Sequence, residues 1–256
     1  ENGRGRLHFE ESILQVSLQP GYILHSRAYR DTSAILEAFT PEYGRVSLVA
    51  RGARRKSRGG SGGALLQLFQ PLLVSFSGRG ELKTLTGREA AGMAYALRGD
   101  RLFSGLYINE LLVRLLHRYD AHPTLFADYG DALMALSSND PLEAVLRRFE
   151  MRLLDELGYS FDLRWDGHSG EPVREDAWYH YHSDHGLVER VGVADAERPA
   201  YAGADLLAIA DGRLEGAAAQ TSKRLLRQAL ASHLGEVPLR SRELFRSRGH
   251  AESGED

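Results

Sequence analysis

Between Gly21 and Arg88, apolar and polar residues follow one another in short runs broken by turn residues. Gly21–Arg27 (GYILHSR) is a short apolar run, Ser33–Thr40 (SAILEAFT) is rich in β-branched and aromatic residues, and Gly44–Gly52 (GRVSLVARG) alternates through Val46, Leu48 and Ala50. Pro71–Gly78 alternates Leu72, Val74 and Phe76, and Glu81–Gly87 follows the turn SGRG. Period-two alternation puts successive side chains on opposite faces of a sheet. Five such runs with no helix-length segment between them predict a small barrel or sandwich.

After Asp100 the period lengthens to three and four. Asp100–Asp120 carries Leu102, Phe103, Leu106, Leu111, Val113, Leu116 and Tyr119 over more than one stripe, the pattern of a well-buried helix. Thr124–Ser137 shows a single face of Leu125, Phe126, Tyr129, Leu133 and Leu136. A third helix is bounded by Asp140 as N-cap, Pro141 at the first helical position and Glu143 completing a capping-box pattern. Its face is Leu142, Val145, Leu146, Phe149, Leu153 and Leu157, and Gly158 stops it. Trp178–Val191 reads as strand, polar turn, strand about Ser183–Gly186. Thr221–Gly235 is an amphipathic helix, and Ser241–Ser247 is a short final one.

Composition narrows the class. The 256 residues carry a net charge of -3, which excludes a uniformly basic nucleic-acid binder but not a locally basic one. There is no cysteine, which removes disulfides, thiolate metal sites and cysteine nucleophiles and suits a reducing cytoplasm. No apolar run approaches a membrane span, and Glu1–Phe9 holds no apolar signal core. Of the 32 cations only Lys56, Lys83 and Lys223 are lysine; the planar guanidinium of the others suits phosphate.

Those cations concentrate at one place. Arg51, Arg54, Arg55, Lys56 and Arg58 are five in eight residues, uninterrupted by acid and followed by a glycine-rich stretch. A solvated charge run is the plain alternative. A loop between two barrel strands is also where oligonucleotide-binding barrels present cations to a strand. Tyr22, Tyr29, Phe39 and Tyr43 are near enough in sequence to stack bases, although most of them read as core.

Catalytic chemistry is not evident. The glycines at 59, 60, 62 and 63 lack the Lys-Ser/Thr of a phosphate-binding loop, no G-x-S-x-G elbow occurs, and the carboxylates are scattered. His168, His180, His182 and His185 fall close together. They read as surface histidines on a hairpin; a metal-dependent nucleic-acid enzyme built on His180, His182 and His185 is the rival reading. A protein-interaction scaffold with a merely solubilising loop is a third.

Several ordered blocks carry a family resemblance: GYILHSRAYRDTSAILEAFTPEYGRVSLVARGARR, LLVSFSGRGELKTLTGREA, LYINELLVRLL, LRRFEMRLLDELGY and PLRSRELFR. Together they resemble the RecO family of bacterial recombination mediators, its gammaproteobacterial branch most closely. The resemblance implies an α+β protein with an N-terminal OB-fold β-barrel, a central α-helical bundle and a small mixed C-terminal region with a degenerate zinc-finger-like hairpin. The expected divisions are a flexible extension at 1–12, the DNA-binding barrel at 13–92, helices at 93–160, the hairpin region at 161–215, completing helices at 216–248 and a tail at 249–256.

The resemblance further implies a non-enzymatic, cytoplasmic, nucleoid-associated protein without cofactor or membrane contact. Such a protein binds single- and double-stranded DNA, anneals complementary strands, and with RecR helps load RecA onto strands coated by SSB. The candidate DNA contacts are Arg27, Arg45, Arg51, Arg54, Arg55, Lys56, Arg58 and Lys83. Many family members carry a four-cysteine zinc site near RWDGHSGEP; with no cysteine here, the hairpin is expected to be held by Trp165, Trp178, Tyr179 and Leu187 instead. The acidic SSB C-terminal tail with its apolar tip is expected between the second and third helices, at Leu125, Phe126, Tyr129, Leu133, Arg147 and Arg148. The two arginines are about 100° apart on a helix, so at least one is expected to be exposed.

Overall fold

The computed structural model describes residues 13–55, 65–192, 198–241 and 243. The predicted N-terminal extension, the glycine-rich end of the basic loop, most of the predicted final helix and the tail lie outside the described residues. The chain divides into two compact units, Glu1–Tyr95 with Leu116–Pro123, and Ala96–Leu115 with Thr124–Asp256.

The first unit is a closed barrel of β1 (Leu14–Tyr29), β2 (Ser33–Thr40), β3 (Gly44–Ala50), β4 (Leu72–Gly78) and β5 (Leu82–Ala90), ordered β1-β2-β3-β5-β4. β1 pairs with β4 through its first half and with β2 through its second. All pairs are antiparallel except β3 with β5, which run parallel at Ser47↔Leu82 to Val49↔Thr84. This is the OB-fold arrangement. Inward-facing Ile23, Leu36, Val46, Leu48, Val74 and Phe76 fill the centre.

The sequence places the first strand at Gly21; the structure starts it at Leu14. Its alternation is broken where Leu18 takes a positive φ of 50° and turns outward while Gln19 turns in. The pairing with β4 shifts register between Val16 and Gln19 there, a bulge that bends one strand across two partners. The first helix is shorter than its apolar pattern. It ends at Leu115, and Leu116–Pro123 returns to the barrel unit. That strap lies against the β2–β3 turn: Tyr119 N–H donates to the Arg45 carbonyl at 3.1 Å. Gly44, with φ +57°, has no room for a side chain, because a Cβ would stand 1.7 Å from the Asp120 carbonyl oxygen.

The second unit packs α1 (Asp100–Leu115), α2 (Pro123–Ser137), α3 (Leu142–Glu156), α4 (Gly203–Ala210) and α5 (Gly216–Leu234) with a sheet of β6 (Trp178–His182), β7 (Gly186–Glu189) and β8 (Ala200–Ala202). α3 starts with Pro141 as N-cap and no side-chain cap, so the expected capping box does not form; Glu143 instead pairs with Lys223 at 2.6 Å. Its end is as expected. Gly158 N–H reaches the Asp155 carbonyl and Tyr159 N–H the Leu154 carbonyl, which closes the helix in a Schellman turn. β8 and α4 were not foreseen, being too short for a periodic signal. Glu110 on α1 accepts hydrogen bonds from Arg240 N–H, Ser241 N–H and Ser241 Oγ, which ties down the C-terminal segment.

The β6–β7 hairpin turns where expected, but its supports differ. Trp165 and Trp178 are half-exposed rather than packed. Tyr179, His180, Tyr181, Leu187 and Tyr201 are buried, with Phe161 edge-on to Tyr181 at 4.9 Å. Asp166 organises the ribbon beside them: its carboxylate accepts the amides of His168 (2.8 Å), Ser169 (2.7 Å) and Glu189 (2.5 Å). No helix among the described residues is long and apolar enough to cross a membrane.

Candidate nucleic-acid interface

The basic segment begins where β3 leaves the barrel. Arg54 N–H donates to the Thr32 carbonyl and Arg55 N–H to the Gly52 carbonyl, both at 3.0 Å, so the start of the loop is pinned to the β1–β2 turn. Gly52 supplies the positive φ of 66° that the turn needs. The side chains of Arg51, Arg54 and Arg55 are exposed and form no ion pair among the described residues. Arg51 and Arg55 border a concavity of about 530 Å³ with Tyr29, Arg30, Thr32 and Thr84. Arg30, which the sequence reading passed over, is exposed with its guanidinium 5.1 Å from the Tyr29 ring centroid. The signal was available in the Tyr-Arg pair just before the turn. Cations without acidic partners around a polar hollow are a phosphate-type surface.

Other expected contacts divide. Arg27 is exposed on β1. Arg45 is not a free cation: its Nη1 pairs with Glu37 at 2.8 Å and its Nε donates to the Leu116 carbonyl at 3.0 Å. Glu37 also accepts from Ser47 Oγ at 2.7 Å and faces Arg118 at 3.5 Å. Lys83 is buried, with Nζ donating to the Gly78 carbonyl at 3.1 Å and lying 5.4 Å from the Tyr119 ring. Burial pushes the Tyr119 hydroxyl up from its ordinary range, and that hydroxyl donates to the Glu81 carbonyl. Arg45 and Lys83 are therefore corrected from surface contacts to structural cations. Lys56 and Arg58 lie outside the described residues. Of the aromatics, Tyr22 and Phe39 are core, Tyr43 packs edge-on to Phe76 at 5.6 Å, and Tyr29 alone lines the hollow.

The family model described as recombination protein O, N terminal, matches residues 15–93, and that for the C terminal matches 97–243. The chain belongs to the RecO family. It is 52% identical over 235 residues to a DNA repair protein RecO of Pseudomonas putida strain GB-1, covering 91% of this chain and 99% of that one. A DNA repair protein RecO of Methylococcus capsulatus is 46% identical, with 91% and 94% covered, and that of Nitrosococcus oceani is 46% identical with the same coverage. RecO membership gives the chain a role in DNA repair and recombination.

The helices expected to receive a partner tail in this RecO chain are more closed than their pattern suggested. Leu125, Tyr129 and Leu133 are fully buried, and Phe126 is half-buried. Arg147 is buried and pairs with Glu150 at 3.0 Å, whose other oxygen accepts the Tyr107 hydroxyl at 2.7 Å. Arg148 is the exposed member of the pair. It lies on two concavities. One of about 180 Å³ runs between α2 and α3 past Ala132, Val145 and Phe149. The other, about 420 Å³, is larger and is lined by Met151, Phe161, Leu163, Ile209 and Leu225.

The histidines do not assemble. His180 is buried, not superficial, with Nδ1 at 3.0 Å from the Pro199 carbonyl. His182 is half-buried, and exposed His185 faces His168 at 5.9 Å between ring centroids. Among the described residues no three His, Asp or Glu side chains are grouped to hold a metal ion. The metal-dependent enzyme reading is not favoured.

Proposed function

We propose that this protein is a non-enzymatic recombination mediator that binds single- and double-stranded DNA through the basic loop after β3, anneals complementary strands, and with RecR helps load RecA onto SSB-coated DNA. The observation that carries the DNA-binding part is the set Arg51, Arg54 and Arg55, exposed and without an ion pair among the described residues, with Arg51 and Arg55 beside a hollow that also takes Arg30. In the sequence, Lys56 and Arg58 continue the run of cations, and Arg27 is a further exposed cation on β1. Contacts of this type go to phosphates, so they position a strand without reading its sequence. The partner steps rest on family membership.

The SSB tail fits Arg148 rather than Arg147. Arg148 is free to meet an acidic stretch, whereas Arg147 is committed to Glu150. The apolar tip would enter the cavity of Met151, Phe161, Leu163 and Ile209, which is open, in place of Leu125, Tyr129 and Leu133, which are closed.

The test is binding of labelled oligonucleotides of unrelated sequence across a salt series, followed by annealing with and without SSB. Three to five phosphate contacts predict that log affinity falls with log salt at a slope of about -2 to -3.5 on single strands, equal for every sequence. A slope near zero, or strong sequence preference, overturns the reading. Annealing that proceeds on bare strands and fails on SSB-coated ones removes the mediator step and leaves the binding step standing.

A further inference from the structure

The sheet β7-β6-β8 has one packed face and a second face that is covered at His180 and exposed at the Trp178 end. Tyr179, Tyr181, Leu187 and Tyr201 fill the packed one. Alternation puts Trp178, His180 and His182 on the other, where His180 is buried against the Pro199 carbonyl, His182 is half-buried and Trp178 is exposed. Ala202 on β8 stands opposite Trp178. On the other side the register Tyr179↔Glu189 continues by one step, and Arg190 N–H donates to the Trp178 carbonyl at 2.7 Å. The row across the exposed end of that face therefore reads Arg190, Trp178, Ala202.

Trp178 is 53% exposed, directly beside three buried strand residues. Tryptophan is ordinarily among the better-buried side chains, and an exposed indole next to an alanine leaves a flat ring face open to a planar guest. Arg190 beside it offers a cation to an anionic guest. Glu189 is taken up by Arg174 at 2.5 Å, and Asp176 also acts on Arg174, whereas Arg190 forms no side-chain ion pair among the described residues.

We propose that this face is a second nucleic-acid contact, in which an unpaired base stacks on the Trp178 indole and its phosphate pairs with Arg190. The proposal rests on the DNA-binding reading above and extends it to the second unit. An unpaired strand is the occupant because a duplex hides its base faces. Aromatic stacking accepts any base, and the guanidinium fork meets phosphate. A purely acidic peptide would use Arg190 and leave the indole without a partner. An apolar protein surface would need far more contact area than one indole flanked by Ala202 and Val188 provides.

The chain's two tryptophans, Trp165 and Trp178, both lie in the second unit, and the basic loop lies in the first. Trp165→Phe makes Trp178 the sole emitter. That variant is titrated with oligo(dT), with an abasic phosphodeoxyribose strand of the same length and with duplex, while the anisotropy of the labelled strand is followed in parallel. The expected result is quenching by oligo(dT) that saturates together with the anisotropy, and anisotropy without quenching for the other two. In the otherwise unaltered chain, Trp178→Ala is expected to weaken oligo(dT) binding about fivefold or more with little effect on duplex. Arg190→Ala is expected to lower the salt slope by about 0.7. Trp178→Tyr should retain most binding, which separates stacking from folding. Anisotropy that rises with no change in emission overturns this proposal and leaves the basic loop as the binding site. Equal quenching by abasic strand or duplex overturns it too, as does quenching by an SSB-tail peptide where oligo(dT) gives none. If no strand raises the anisotropy, the DNA-binding reading and this proposal fail together.

Discussion

Strand β3 has an arginine at each end, and the two live in different surroundings. At its start, Arg45 is held by Glu37 and the Leu116 carbonyl, inside a cluster with Ser47 and Arg118. At its exit, Arg51 stands with Arg54 and Arg55 in solvent, without an ion pair among the described residues. The neighbour strand makes the difference. β2 sets Glu37 against Ser47 near one end of β3 and Ala34 against Ala50 at the other. A cation within reach of a half-buried carboxylate on the neighbouring strand serves the fold; a cation beyond the end of the pairing, next to small apolar residues, is left for a ligand. The same division recurs one residue apart on α3, where Arg147 is buried against Glu150 and Arg148 is exposed.

The largest expected effect tests the locked end. Gly44→Ala forces a Cβ into the Asp120 carbonyl at a positive φ and should cost about 4 kcal/mol or more of stability. A thermal or denaturant melt checks it, and an unshifted melt would mean that the strap does not hold the β2–β3 turn.

Next comes the pair on α3. Arg147→Ala leaves Glu150 buried without its guanidinium and should destabilise by about 3 kcal/mol. Arg148→Ala should leave the melt within about 0.5 kcal/mol while weakening an acidic, apolar-ended tail peptide several-fold and making its binding less salt-sensitive. Calorimetry of folding and of peptide binding separates the two, and a reversed outcome breaks the distinction between them.

The free end of β3 ranks third. Arg51, Arg54 and Arg55 changed together to Ala should reduce DNA affinity about tenfold or more and flatten the salt slope by about 2, with no change in melting. Replacing the buried Lys83 by Met should leave the slope as it was.

The smallest effect concerns a carboxylate spent on structure in the second unit. Burial pushes the Asp166 carboxyl up, but the Ser169, Glu189 and His168 amides outweigh it and hold the group below its ordinary 3.8. A depressed folded pKa means that its stabilisation is present above that ordinary value and is lost as the pH falls through the lower, folded one. Asp166→Asn should cost about 1 kcal/mol at neutral pH and flatten the acid limb of a melting-versus-pH curve. An unchanged acid limb would show that another group governs it.

Much of this was legible in one dimension. Alternation through Val46, Leu48, Val74 and Phe76 identified barrel strands because period-two burial is a local property of the chain. The Gly158 stop and the Ser183–Gly186 turn were likewise readable, since capping and turn chemistry act over a few residues. The Arg51–Arg58 cluster was visible as a run of like charge. Blocks from Gly21 to Arg246 carried the family.

Tertiary structure decided what each charge and ring is for. Nothing local distinguishes Arg45 from Arg51, Arg147 from Arg148 or Lys83 from a surface lysine. The distinction comes from Glu37 one strand away, Glu150 one helical turn on, and a tyrosine at position 119 whose chain returns to the barrel after a helix. Trp178 reads as core from its residue type and is half-exposed because it stands at the first position of its strand, at an end of the sheet face that is covered further along at His180. A sequence states which groups are present. Which of them remain free to meet a partner depends on long-range neighbours, and only the closed fold brings those neighbours into contact.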